Sequence, residues 1–365
     1  MVIMNLKLDN IYSFSNFEID FSYPKKIVNS LIEDEHISGF PNFRYKKVNI
    51  IMGANATGKT TLGLAITNLL SYLYSENIGF IEAMINDRSM DASICLDMVD
   101  DGKHLRRILV EISGAGNSMC SIMERTRLSF GTEKIAERDS YQSCLKRLLK
   151  RGLSDDPQKE MMYAGWAMVC SNSACTIPEG LDRNVLLKVF NTVLRTLDPS
   201  IDEIREIPDA RNSYIIKKNG QDLIFQDGQL LKPLLFSSGT REGISLSYLI
   251  AGILTHTFQT YYCDEKFSFV HSYIEKRIFG IMMSHLGENE QLIFTTHNEE
   301  MLELNLPKHS YTFLVRKHDG DRFHTEAIYA NDYVRKYSDN LKTAIENDVI
   351  KALPEDDLLD SLEEF

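Results

Sequence analysis

The run Gly53-Ala54-Asn55-Ala56-Thr57-Gly58-Lys59-Thr60 places glycine at its first and sixth positions, followed by lysine and a hydroxyl residue. Phosphate chemistry needs these residue types in this order. The glycines let the backbone curl, so that successive N–H groups from Gly53 through Asn55, Ala56, Thr57 and Gly58 point inward at phosphate oxygens. A helix opening near Gly58 adds its positive N-terminal end. Lys59 supplies a compact charge toward the β- and γ-phosphates. The Thr60 hydroxyl is placed to ligate Mg²⁺, with Thr61 next to it at the start of the helix.

Three further groups lie far downstream. Thr260-Tyr-Tyr-Cys-Asp264-Glu265 reads as a short strand ending in two carboxylates. Asp264 is expected to hold Mg²⁺ through water, and Glu265 to polarise the attacking water as general base. Leu292-Ile-Phe-Thr-Thr-His297 is a second apolar run, and a histidine at the carboxyl edge of such a strand can sense a γ-phosphate. Ser237-Ser238-Gly239-Thr240 opens another helix. It reads either as a hydroxyl cap satisfying free N–H groups or as an anion-binding face for a nucleotide held by a second subunit.

These groups need strands that end where phosphates sit and helices that begin there. Val48–Met52 (VNIIM) is a continuous apolar strand running into the glycine loop, and apolar residues at helical spacing from Thr60 to Tyr74 predict the helix that leaves it. Strands are also expected over Met1–Leu8 and Phe17–Phe21, and a hairpin over 92–112 around Asp100-Asp101-Gly102. Residues 116–231 have a different texture: helices are expected over Glu133–Lys150 and Asp182–Leu197, and a hairpin around Asn219-Gly220. From 232 the pattern alternates again, with helices over 241–255 and 272–286 and a final hairpin over 311–328. The expected organisation is a lobe over 1–115 with the glycine loop, a mainly helical insert over 116–231, a second lobe over 232–340, and an acidic tail over 341–365.

Taken as an ordered set, these elements resemble the ABC-type ATPase heads of the SMC/RecF/OLD-like class. Residues 53–60 match its Walker A loop, 236–240 the S-S-G-T form of its signature, 260–265 its Walker B strand and His297 its switch histidine. Asp264-Glu-Lys-Phe-Ser-Phe-Val-His271 looks like the D-E-x-x-x-x-L-H of the OLD-like branch, and Asn10-Ile-Tyr-Ser-Phe14 resembles its N-F-x-S-F. Tyr12 departs from the Arg or Lys of many relatives, and Gln142 falls in the insert, where it is not expected to act as a Q-loop glutamine. The resemblance implies an α/β, P-loop ATPase head with ATP and Mg²⁺ as its cofactors. Lys59, Glu265 and His297 would be its catalytic groups, Thr60 and Asp264 its metal ligands. It further implies a homodimer or higher homo-oligomer closed around nucleotide, Ser237, Ser238 and Gly239 of one copy facing the nucleotide of another.

Composition narrows the role. The chain has 365 residues, 43% hydrophobic and 25% charged, with a formal net charge of −12. That is ordinary globular composition, and the acidic balance disfavours general coating of nucleic acid. A basic run, Lys146-Arg-Leu-Leu-Lys-Arg151, leaves local nucleic-acid contact possible, although a solvated face is the plainer reading. Six cysteines at irregular spacing with no C-x-x-C predict reduced thiols rather than a metal or disulfide framework. No apolar run approaches a membrane span and no signal peptide is visible, so a cytoplasmic protein without membrane contact is expected. Lack of heptads excludes a long-armed chromosome-type ATPase. Asp319-Gly320-Asp321 spells the D-x-D of a metal nuclease but reads as a hairpin turn, so nuclease activity is not expected in this chain. The resemblance then points to an ATPase controlling a separate effector, a nuclease or toxin, in bacterial antiviral defence. The alternatives are a RecF-like repair clamp on DNA, or a scaffold with a dead site, against which Lys59, Asp264 and Glu265 speak.

Overall fold

Strands buried on both faces read as unbroken apolar runs rather than alternating ones, and three parallel strands of this chain are buried along their whole length. In the computed structural model, which describes residues 1–28, 30–116, 120–155, 165–170, 180–208, 210, 212–319, 322–334, 341–347 and 350, every residue of Val48–Met52, Thr260–Asp264 and Gln291–Thr295 is buried. The chain divides into two compact units, each discontinuous in sequence: Met1–Val2 with Met162–Asn298, and Ile3–Met161 with Glu299–Phe365.

The second of these carries the glycine loop. Val48–Met52 pairs in parallel with Tyr311–Asp319, Ile50 lying opposite Tyr311, and Tyr311–Asp319 pairs antiparallel with Arg322–Tyr329. A bond between the Thr312 hydroxyl and Asn49 Oδ1 (2.9 Å) pins the register in the core. The same unit contains an antiparallel sheet ordered Phe17–Asp20, Val2–Asp9, Ala92–Val99, His104–Ile112, Thr126–Lys134. The hairpin expected over 92–112 is present, Val99 pairing with Leu105. Helix Tyr141–Arg151 packs on this sheet. The helix expected to begin at Glu133 does not. Glu133 lies instead in the Thr126–Lys134 strand, opposite Leu105, where nine residues pair with the preceding strand. A partner ladder supplied by distant sequence overrides the local preference of Glu133 and Lys134 for helix.

In the other unit Thr260–Asp264 is flanked by two parallel neighbours, Trp166–Cys170 and Gln291–Thr295. An antiparallel meander runs Ile201–Glu206, Ser213–Lys218, Gln221–Gln226, Gln229–Leu230 and includes the expected hairpin at Asn219-Gly220. Helix Arg183–Leu197 buries Phe190 edge-on against Tyr214, Phe225 and Tyr248, joining the meander to helix Ser238–Leu254. Residues 116–231, read from sequence as mainly helical, thus carry strands as well as helices and contribute to both units. Their strands are half-exposed and rich in polar residues, which hides the period-two signal.

Among the described residues no helix is long and apolar enough to cross a membrane, and the longest helices have 17 residues. Cys95, Cys144 and Cys263 are free thiols, while Cys175 lies outside the described residues. No group of three or more His, Cys, Asp or Glu able to hold a metal ion occurs among the described residues. Gly320, Asp321 and the acidic run from 351 also lie outside them.

Candidate functional site: a phosphate loop and a carboxylate–histidine edge

The glycine loop leaves the buried Val48–Met52 strand and enters helix Lys59–Ser75, which buries Leu62, Ala65, Ile66 and Leu69. Its two glycines are there for space. A Cβ on Gly53 would lie 2.4 Å from the Leu314 carbonyl oxygen, and one on Gly58 would lie 2.6 Å from Phe14 Cζ. Gly58 also has φ +98°, a left-handed conformation that L side chains rarely adopt. Ala56 turns the loop with φ 62°, and Thr57, fully buried, donates to the Ala54 carbonyl at 2.9 Å. Lys59 is only 4% exposed. Its Nζ donates to the carbonyls of Gly53 (2.7 Å) and Ala54 (3.0 Å), so the ammonium sits inside the curl of the loop. Thr61 Oγ1 donates to Gly58 O, and Thr60 is half-buried next to it.

The Asn10–Phe14 segment is a brace for this loop. Asn10, at φ 54°, donates to the Asp87 carbonyl (2.7 Å) and accepts from the Asp87 N–H, fixing the turn before Ala92–Val99. Phe14 is the ring against Gly58. The Tyr12 hydroxyl accepts from Asn68 Nδ2 at 2.8 Å and so touches the loop's own helix. Gln142 donates to Ser22 Oγ (3.2 Å), a packing contact. Two of the four bases in the basic run are paired: Arg147 with Asp139 and Glu133, and Arg151 with Glu133.

Asp264, Glu265, His297 and the Ser237 cluster all belong to the other unit. Register explains their arrangement. Asp264 and Thr295 are opposite one another in the parallel ladder, so Thr295 Oγ1 donates to the buried Asp264 carboxylate at 2.7 Å. The same oxygen accepts the Glu265 N–H (3.1 Å), which helps hold Glu265 at φ 47° as the chain turns off the strand. Glu265 then meets His297, with Oε1 2.8 Å from Nε2; both side chains remain partly exposed. The two groups expected to act on a water and on a γ-phosphate are therefore in contact at the carboxyl edge of adjacent strands, where ligands of parallel sheets bind.

Two partners of this edge carry no motif. Glu275, buried in the first turn of helix Ser272–Ser284, accepts from Thr296 Oγ1 (2.8 Å) and Asn298 Nδ2 (2.6 Å), the residues on either side of His297. Lys266, 2% exposed, makes an ion pair with Glu242 of helix Ser238–Leu254 at 2.5 Å. A glutamate in a helical first turn and a lysine after a strand ordinarily face solvent. Only tertiary contacts reveal them.

Ser237 caps helix Ser238–Leu254: its Oγ accepts the Thr240 N–H at 3.1 Å and lies 2.7 Å from Thr240 Oγ1. Ser238 Oγ accepts from Arg241, and the backbone carbonyl of Phe269 would be 2.9 Å from a Cβ on Gly239. His271 caps helix Ser272–Ser284 in the same way, Nδ1 accepting the Tyr273 N–H. The cap reading of Ser237 is thus observed, and its side chain is exposed at a helix N-terminus.

No protein-family model matches this sequence, and no curated protein matches it. Solved structures do. An SmcHead bound to the C-winged helix domain of ScpA is similar over 92% of this chain and 100% of its own, at 15% identity and a TM-score of 0.53. An Smc head domain with an extended coiled coil, bound to the C-terminal domain of ScpA derived from Pyrococcus furiosus, is similar over 91% of this chain and 97% of its own, at 14% identity and 0.51. Likeness at such low identity is likeness of fold. The chain has the mixed α/β fold of an ABC-type ATPase head.

Proposed function

We propose that this protein binds and slowly hydrolyses Mg·ATP as a homodimer or higher homo-oligomer. The observation that carries the reading is the Lys59 ammonium held inside a loop whose glycines tolerate no side chain. Such a cradle fits a phosphate chain: backbone N–H groups of 53–60, a helix N-terminus and one compact cation. Thr60 and Asp264 are the oxygen donors suited to Mg²⁺, which when bound neutralises charge on the phosphate oxygens. Glu265 takes the proton of the attacking water, and His297 orients it and contacts the γ-phosphate. Ser237, Ser238 and Gly239 meet the nucleotide of another copy.

At a finer level the reading is an OLD-like head that cages or activates a separately encoded nuclease or toxin in bacterial antiviral defence. Support comes from the Asp264–His271 pattern and from the partner proteins carried by the Smc heads it resembles in fold. Direct clamping of DNA has less behind it, because acids pair with both arginines of the Lys146–Arg151 run. The test is Glu265→Gln. It should keep ATP binding, lose about 10²–10⁴-fold in turnover, and accumulate a dimer visible by light scattering with ATP. Normal turnover at unchanged mass would overturn the assignment.

A further inference from the structure

We infer that Glu275 is the positioning residue that sets His297 against Glu265. The inference rests on the ATPase reading for its functional meaning, but its structural content stands on five residues. Glu275 is 2% exposed, and both of its carboxylate oxygens are engaged: Oε1 by the Thr296 hydroxyl at 2.8 Å and Oε2 by Asn298 Nδ2 at 2.6 Å. Asn298 closes the loop on itself, its N–H donating to Thr296 Oγ1 at 3.0 Å. The backbone that carries His297 is therefore held at the residue before it and at the residue after it by one carboxylate. His297 itself makes the contact that matters, Nε2 to Glu265 Oε1 at 2.8 Å.

The anchor is placed to be rigid. Glu275 sits on a helix whose buried Phe279 packs edge-on against Phe294 of the strand leading to His297, so helix and strand are in direct contact. Thr295, the next residue along that strand, binds Asp264 and the Glu265 N–H. Thr295 thus fixes the carboxylate side of the pair and Glu275 the imidazole side. Charged hydrogen bonds of this kind are among the stronger ones, and a buried acceptor left without donors is costly.

The experiment uses the full chain with ¹⁵N-labelled histidine. The His297 Nε2 resonance is assigned by its loss in His297→Gln, and the quantity read is its displacement on changing Glu265 to Gln. In otherwise native protein that displacement should be large; in a Glu275→Ala background it should vanish. Glu275→Gln with Asn298→Asp exchanges donor and acceptor: the glutamine oxygen still accepts from Thr296 and its NH₂ donates to the new carboxylate. The displacement should return in that pair, which also serves if Glu275→Ala fails to fold. In turnover, Glu275→Ala should lose about 10²-fold in kcat, as for a misplacement of about 1 Å, with ATP affinity within about twofold of native, and the exchanged pair should regain most of it. A Glu265-dependent displacement that persists in Glu275→Ala, or is absent from the folded exchanged pair, overturns the inference. A native chain that hydrolyses no ATP overturns the ATPase reading instead and leaves the resonance measurement to decide the role of Glu275.

Discussion

The Lys59 ammonium spends its hydrogen bonds on the two carbonyls that open its own loop, so Lys59→Ala removes both the phosphate-seeking charge and part of the loop's internal bracing. Native protein at 100-fold saturation with Mg·ATP should be stabilised by about 2.7 kcal/mol, read as a rise in melting temperature. In Lys59→Ala that rise should be absent, and a rise of native size would remove the phosphate-loop assignment. Gly58→Ala tests the same loop through sterics, since its new methyl must share space with the Phe14 ring at a backbone angle unsuited to alanine. A loss of about 1–3 kcal/mol in urea denaturation is expected, together with loss of the ATP response. Native stability in the Gly58→Ala variant would show that the loop has room to spare. At this scale the sequence was most readable where chemistry needs fixed spacing: Gly53 to Thr60, Asp264-Glu265 and His297. Glu275 was invisible because its partners are Thr296 and Asn298, brought to it by packing and not by spacing.

Elements that stand on buried runs were legible, and those that stand on partners were not. Val48–Met52 and Gln291–Thr295 announce themselves through five consecutive buried positions, whereas Thr126–Lys134 becomes a strand because His104–Ile112 lies ready to pair with it. The junction of Phe17–Asp20 and Arg322–Tyr329 is another place where sequence is silent. Lys46 donates to the Asp20 carbonyl (2.7 Å), its Nζ lies 3.7 Å above the Tyr329 ring, and the Tyr329 hydroxyl accepts the Asp20 N–H. Burial pushes the Lys46 ammonium down to about 7, against the pull of Asp20 and Asp332. An unfolded lysine titrates near 10.4. Between those values the unfolded chain binds a proton the native chain lacks, so this site's contribution to stability improves as pH rises from 7 toward 10; below 7 its full cost is present. Relative to Lys46→Met, native protein should therefore gain melting temperature between pH 7 and 9. A native-minus-variant difference in melting temperature that stays flat or falls across that interval would show that Lys46 remains charged in the fold.

Whether two copies share each nucleotide is a question for the whole molecule. If Ser237 acts on a partner's nucleotide, Ser237→Arg should still bind ATP through Lys59 but fail to close, while Lys59→Ala fails to bind. A mixture of the two contains dimers in which one site has both lesions and the other has none, so ATP-driven dimerisation should reappear, with part of the phosphate release. As a cap alone, Ser237 would cost ~1 kcal/mol on replacement and leave the single variant nearly as active as native protein. That result, indifferent to mixing, would refute the shared site. The pairing of Val48–Met52 with Tyr311–Asp319 bears on how such a molecule is made. Ile50 leaves the ribosome about 260 residues before Tyr311, and at ~5–20 residues per second the strand waits roughly 13–50 s for its neighbour. Throughout that interval an apolar pentapeptide with an open edge is attached to a nascent chain, which is the situation that draws chaperones or premature association. The strand that presents the glycine loop is thus made long before the neighbour that encloses it.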